Sequence, residues 1–294
     1  MILSQNKLVR LYKVAMVFSV ALSALSLTSF SLAAQNRTSS YSYRWDTFDV
    51  QGEKTGVVAS RADNVEEAMG RVKGRRYYSP SGRVYKGGSV LKTAKTMLSV
   101  QPDMAKVKER IAYSTEVMER RGPECALYNW FIDILMARVA TLSGRKVDIG
   151  FANRGGVRLD MPKGDVLLDD LMSMFPFRNN LCFLELKGKD IRAILEHQAS
   201  RSWQIVGGAR CVVKNRKLES VEIDGEPLDD EKTYGVATIS FLLDGGDGFA
   251  IAKNSLSLEI FDEYIIDAIL PYVRKLTEEG KNIEYKTDGR IIII

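Results

Sequence analysis

Phe241-Leu242-Leu243-Asp244-Gly245-Gly246-Asp247-Gly248-Phe249 follows a run, Thr233 to Thr238, that reads as a strand. The three glycines and two aspartates at its centre cannot hold regular structure, and the apolar residues on either side fix its ends. A glycine-rich loop at a strand end lets backbone approach a ligand closely while the sheet holds it still. Three other loops share this character. They are Asn153-Arg154-Gly155-Gly156-Val157-Arg158, Met174-Phe175-Pro176-Phe177-Arg178-Asn179 and Val206-Gly207-Gly208. Each adjoins a strand-like run.

The elements around these loops alternate in type. Strands are expected at 146–151, 181–186, 204–213, 218–223, 233–238 and 290–294. Helices are expected at 124–142, 166–174, 189–199 and 261–278, with Pro271 bending the last. Residues 89–117 carry a helical pattern, with Pro102 and Asp103 opening its second half. Asp63 to Met69 reads as a short capped helix and Tyr41 to Ser60 as a small hairpin. Mixed strands and helices with hairpin-like returns indicate an α+β fold on a mixed sheet.

Hydrophobic residues make up 45% and charged residues 27%, the balance of an ordinary globular chain. The net charge is +5, but Lys7, Arg10 and Lys13 supply three of those charges before any acid occurs. The rest is nearly neutral, so no global attraction to nucleic acid or membrane follows. Residues 1–34 have a basic start, an apolar stretch from Val14 to Leu32, and Ala33-Ala34, the pattern of a signal peptide. Export is therefore expected, with no membrane span after cleavage. The cysteines are Cys125, Cys182 and Cys211, an odd number with no C-x-x-C, so no essential disulfide is expected.

Arg71-Val72-Lys73-Gly74-Arg75-Arg76-Tyr77-Tyr78, followed by a Ser-Pro-Ser-Gly turn and Arg83-Val84-Tyr85-Lys86, is basic and aromatic. Such composition suits phosphates and bases. The cluster is short and carries no known motif, so it reads as a strand-turn-strand element with a solvated basic face. Nucleic acid is not an expected partner.

Taken in order, the four loops, with Lys187-Gly188 and Tyr234-Gly235-Val236-Ala237-Thr238 between them, resemble the C-terminal domain of the 5'-nucleotidases. The resemblance covers roughly residues 95–294, leaving 35–94 as an N-terminal extension with short strands. It implies a bifurcated mixed β-sheet with flanking helices, and a nucleoside pocket on this domain. By resemblance, Phe177 and Phe241 clamp the base and Asp247 accepts hydrogen bonds from the ribose hydroxyls. Asn153 and Arg158 contact the ribose and phosphate, and Gly208, beside Gly207, lies near the base edge. The family's early basic contact falls on Pro123, and neither Arg120 nor Arg121 is assigned in its place.

The resemblance also implies what to look for elsewhere. Full-length 5'-nucleotidases carry a two-metal site of His, Asp and Asn on another domain, where paired metals polarise the phosphate and activate a water. This sequence holds one histidine, His197, flanked by Glu196 and Gln198 in a helical stretch and expected to be structural. No catalytic residue, metal ligand or cofactor is assigned to this chain. Three readings stay open. One is the nucleotide-binding half of a split 5'-nucleotidase of the bacterial periplasm, acting in nucleotide catabolism, with divalent metals on a separate metallophosphatase chain. The others are a stand-alone nucleoside or nucleotide binder, and a structural module with an inactive pocket.

Overall fold

The computed structural model describes residues 60–294. The expected signal peptide and the hairpin at 41–60 lie outside the described residues, but for Ser60. The first elements are helix α1 (Val65–Met69) and strands β1 (Arg71–Lys73), β2 (Arg76–Tyr78) and β3 (Val84–Lys86), an antiparallel meander. Helix α2 (Gly88–Ser99) buries Leu91 and Ala94 and packs on that meander. Next come β4 (Arg110–Ser114), α3 (Ala126–Ser143), β5 (Ile149–Ala152), β6 (Gly164–Leu167), α4 (Leu168–Met174) and β7 (Asn180–Lys187). The rest is α5 (Gly188–Ser200), β8 (Ile205–Gly207), β9 (Ala209–Lys214), β10 (Lys217–Ile223), β11 (Glu226–Pro227), β12 (Thr233–Ile239), β13 (Ser257–Tyr264), α6 (Ile265–Glu278) and β14 (Ile291–Ile293).

Two sheets organise the body. A five-stranded sheet runs β13-β7-β12-β5-β8, with β5 and β12 parallel and the other neighbours antiparallel. A four-stranded sheet runs β11-β10-β9-β14. The chain crosses from the first sheet to the second between β8 and β9, at Gly208, where φ is +74°. This is the bifurcation that the family resemblance implies. One strand was expected over 204–213, but the left-handed backbone at Gly208 divides it into two.

Helix α3 is apolar on most faces because it lies between the five-stranded sheet and helix α6. Trp130, Phe131, Ile132 and Leu135 are buried in the core it shares with Phe151, Phe183 and Val236. The end of the chain is pinned onto this helix. The Arg290 guanidinium donates to both Asp133 carboxylate oxygens at 2.8 and 2.9 Å, and the Tyr285 hydroxyl donates to Asp133 Oδ2 at 2.6 Å. Glu124, just ahead of the helix, accepts from the backbone N–H groups of Asp288 and Gly289.

Three expectations are corrected. The helix through residue 117 ends at Ser99, and β4 occupies 110–114, paired with β6. Ile111 and Ala112 reach the core through that pairing, which outweighs the helical spacing. The helix expected from Val166 begins at Leu168, after β6, where Asp170 Oδ2 accepts the Leu167 N–H at 2.8 Å. The helix expected from Phe261 begins at Ile265, and edge strand β13 holds residues 257–264.

All three cysteines are free and buried. Burial pushes the thiols of Cys182 and Cys211 up to about 12 and raises that of Cys125. The thiolate is the reactive form. A colorimetric thiol reagent at pH 8 should therefore label none of the three within minutes in the native protein, and all three in denaturant. Rapid native labelling of Cys182 or Cys211 would contradict this packing.

Candidate functional site

The register of the five-stranded sheet decides which loops meet. Strand β5 runs parallel to β12, with Ile149 opposite Val236 and Gly150 opposite Ala237. Strand β7 runs antiparallel to β12, with Leu181 opposite Ile239. The C-terminal ends of β5 and β12 and the N-terminal end of β7 therefore share one end of the sheet. Asn153 follows β5, Phe241 follows β12, and Phe177 precedes β7. Two hydrogen bonds tie these loops together. Asn180 N donates to Ser240 Oγ at 3.0 Å, and Arg158 N donates to the Met174 carbonyl at 2.8 Å.

Both phenylalanines project from this end. Phe177 is 45% exposed and Phe241 41%, although the residues beside them in the loops, Phe175 and Leu242, are buried. A large aromatic left in water at a strand end is a ready stacking surface. The Arg158 guanidinium stands 5.7 Å from the Phe177 ring centroid, and its Nη1 donates to the Gly155 carbonyl at 3.2 Å. A permanent cation and an open ring thus lie side by side.

Asp247 is exposed, with φ at +51°, at the crest of the loop after β12. The Gly245 N–H closes the loop onto the Phe249 carbonyl at 2.5 Å. A Cβ at Gly246 would collide with the Phe241 carbonyl, so only glycine lets the loop fold back over Phe241. Asp247 is thereby held near Phe241. Behind it, the His197 ring meets Phe249 edge-on at 5.3 Å.

Asn153 is buried, folded back over Gly156, and its Oδ1 has no hydrogen-bond partner. A buried amide oxygen left unpaired costs about 1–3 kcal/mol. Its neighbour Arg154 was not singled out from sequence. The Arg154 N–H donates to Gln204 Oε1 at 2.9 Å, and its guanidinium lies 5.7 Å from the Tyr128 ring centroid on the first turn of α3. Its Nε is buried without a partner, and among the described residues no carboxylate pairs with it. A cation in a Gly-Gly loop was the available signal, and it reads as surface until the loop's burial is known. Arg120 and Arg121 are committed elsewhere, to Asp160 at 3.0 Å and Glu119 at 2.9 Å.

Gly208 is not brought to this end. Gly207 pairs with Gly150 while Ile205 pairs with Ala152, so β8 carries Gly208 away from Asn153. A Cβ at Gly208 would strike the Asp148 carbonyl, which marks the position as a crossing between sheets. Gln204, four residues earlier, is the part of this segment that reaches the loop of Asn153.

A family model described as the 5'-nucleotidase C-terminal domain matches residues 104–254, about half of the chain. The chain belongs to the 5'-nucleotidase C-terminal domain family. Its α+β fold is the one this family shares with a solved 5'-nucleotidase precursor from Thermus thermophilus. That structure matches at a TM-score of 0.62 and 27% identity, over 70% of this chain and 43% of its own. An apyrase of Tabanus yao is 27% identical over 64% of this chain and 39% of its own length. Protein UshA of Salmonella pullorum is 29% identical over 46% of this chain and 28% of its own. The chain thus spans well under half the length of these relatives. No helix among the described residues is long and apolar enough to cross a membrane.

Proposed function

We propose that this 5'-nucleotidase C-terminal domain is the nucleoside- and nucleotide-binding component of a phosphohydrolase acting in extracytoplasmic nucleotide catabolism. The observation that carries the proposal is the convergence of Asn153, Arg158, Phe177, Phe241 and Asp247 at one end of a sheet. Phe177 and Phe241 offer faces that accept any base, worth roughly 1–3 kcal/mol per stacked base. Asp247 accepts hydrogen bonds from two vicinal hydroxyls, as a ribose presents them. Arg158 and Arg154 supply planar donors for phosphate oxygens, and the unpaired Nε of Arg154 is the stronger invitation.

In this reading hydrolysis draws on a second chain. Among the described residues no three or more His, Cys, Asp and Glu side chains gather as a metal site. In this reading a separate metallophosphatase chain brings divalent metals, which would activate a water against the phosphorus. The present chain binds and orients the nucleotide. In this reading that work is done outside the cytoplasm, in the periplasm of a bacterium, and the expected signal peptide supports it.

Calorimetric titration with adenosine and with AMP, in chelator, tests this. Both should bind, and Arg154→Gln should weaken AMP by about tenfold or more while leaving adenosine within about twofold, the signature of a lost charge-assisted contact. Equal weakening of both ligands would remove Arg154 from the phosphate. No binding of either ligand by the folded wild type would remove the proposal itself.

A further inference from the structure

The basic segment at 71–86 acquires a geometry that sequence did not disclose. Lys73 pairs with Arg76 across β1 and β2, and Arg76 pairs with Lys86 across β2 and β3. Three cations therefore form one cross-strand row, with neighbouring Cβ atoms about 5 Å apart. Like charges directly opposite one another destabilise a sheet. Among the described residues none of the three has an acidic partner, and all three are exposed. Residues 71–95 hold eight Lys and Arg and no acid. Among the described residues Arg71 alone of these forms an ion pair, with Glu66 at 2.7 Å.

The two faces of the meander differ. Val72, Tyr77 and Tyr85 form the next cross-strand row, on the opposite, half-buried face, where α2 packs. There Tyr77 and Tyr85 stack on each other at 5.9 Å. The outer face carries Arg71, Lys73, Arg76 and Lys86, with Arg75 and Arg83 in the turns at its edges. Its one aromatic, Tyr78, lies 5.5 Å beneath the Arg71 guanidinium. This ring is half-buried and shared with Arg71, and the face carries no second one. Val84, 47% exposed, adds a small apolar contact.

We propose that this face docks the protein on an anionic phospholipid surface. A small face with five cations, Lys73, Arg75, Arg76, Arg83 and Lys86, that have no acidic partner among the described residues is what a layer of phosphate headgroups attracts, and clusters of four to eight Lys and Arg are a common form of such sites. A single-stranded nucleic acid would want open aromatic rings among the cations, and they are absent from this face. The repulsion within the row is a standing cost that a dense anionic surface relieves. The expected export of the chain brings it to a bilayer.

The test is co-sedimentation of the full chain with vesicles of phosphatidylcholine, alone or with about a third phosphatidylglycerol. The wild type is compared on the same vesicles with Lys73→Gln/Arg76→Gln/Lys86→Gln, so that any contribution of residues 1–34 cancels. The triple variant should bind anionic vesicles roughly a hundredfold more weakly, as three lost cations imply. The wild-type advantage should vanish in 1 M salt. The melting temperature of the variant should equal or exceed the wild type's, because the repulsive row is gone. If the variant fails to fold, Arg75→Gln/Arg83→Gln in the turns should still weaken binding about tenfold. Equal vesicle binding by wild type and folded variants overturns the proposal. So does a wild type that prefers a single-stranded oligonucleotide to anionic vesicles at equal phosphate.

Discussion

Phe241→Ala should weaken the affinity for adenosine by roughly tenfold or more, as loss of one stacking face implies, with a change in melting temperature of no more than about 2 °C. Phe241 leaves 41% of its surface in water, so truncation opens no cavity. Its backbone holds the loop through the approach of Gly246 to its carbonyl, and alanine keeps that backbone. The loss is therefore confined to the ring. Phe177→Ala should behave alike, with an added effect on AMP because Arg158 loses the ring beside it. Unchanged adenosine affinity in Phe241→Ala would mean that the base does not lie on this ring.

Gly208→Ala should do the opposite. It should lower stability by about 3 kcal/mol, or roughly 6–12 °C in melting temperature for a body of this size. Two causes add. A φ of +74° is costly for any residue with a Cβ. That Cβ would also strike the Asp148 carbonyl. Asp148 cannot yield freely, because its N–H and its carboxylate both bond to Gly235 in β12, at 2.8 and 2.7 Å. Adenosine affinity of the protein that remains folded should stay within about twofold, since Gly208 lies away from the aromatic loops. Lost affinity with unchanged melting would return Gly208 to the base edge, where the family resemblance placed it.

These two residues show how far the sequence could be read. The loops at 153–158, 174–179 and 241–249 were legible because glycine, aspartate and aromatic residues at strand ends are local signals. Their convergence depended on strand order, which came from the family resemblance and not from spacing. Gly208 is expected at the base edge by resemblance but stands at a crossing between sheets, and a Gly-Gly pair looks the same at a ligand and at such a bend. Only the pairing of Gly207 with Gly150 separates them. Arg154 was missed because its value lies in a partner it lacks, which a sequence does not show.

The missed strands have a common cause. Around β4, Val107 and Ile111 lie four apart as on a helix, yet β6, more than fifty residues away, offers Ile111 and its neighbours a backbone ladder that helix propensity cannot match. Leu256, just ahead of β13, and Leu258 and Ile260 within it alternate along one edge, but they remain 58%, 44% and 53% exposed. No core face marked that alternation as a strand. The charge row at Lys73, Arg76 and Lys86 likewise exists only once the register is known.

The most direct measurement is a crystal structure of the protein soaked with adenosine at concentrations above its calorimetric dissociation constant. Density for the base against Phe177 and Phe241, with the ribose hydroxyls on Asp247, is the expected result. Adenosine bound elsewhere, or no density at this end of the sheet despite binding in solution, would contradict the assignment of the site.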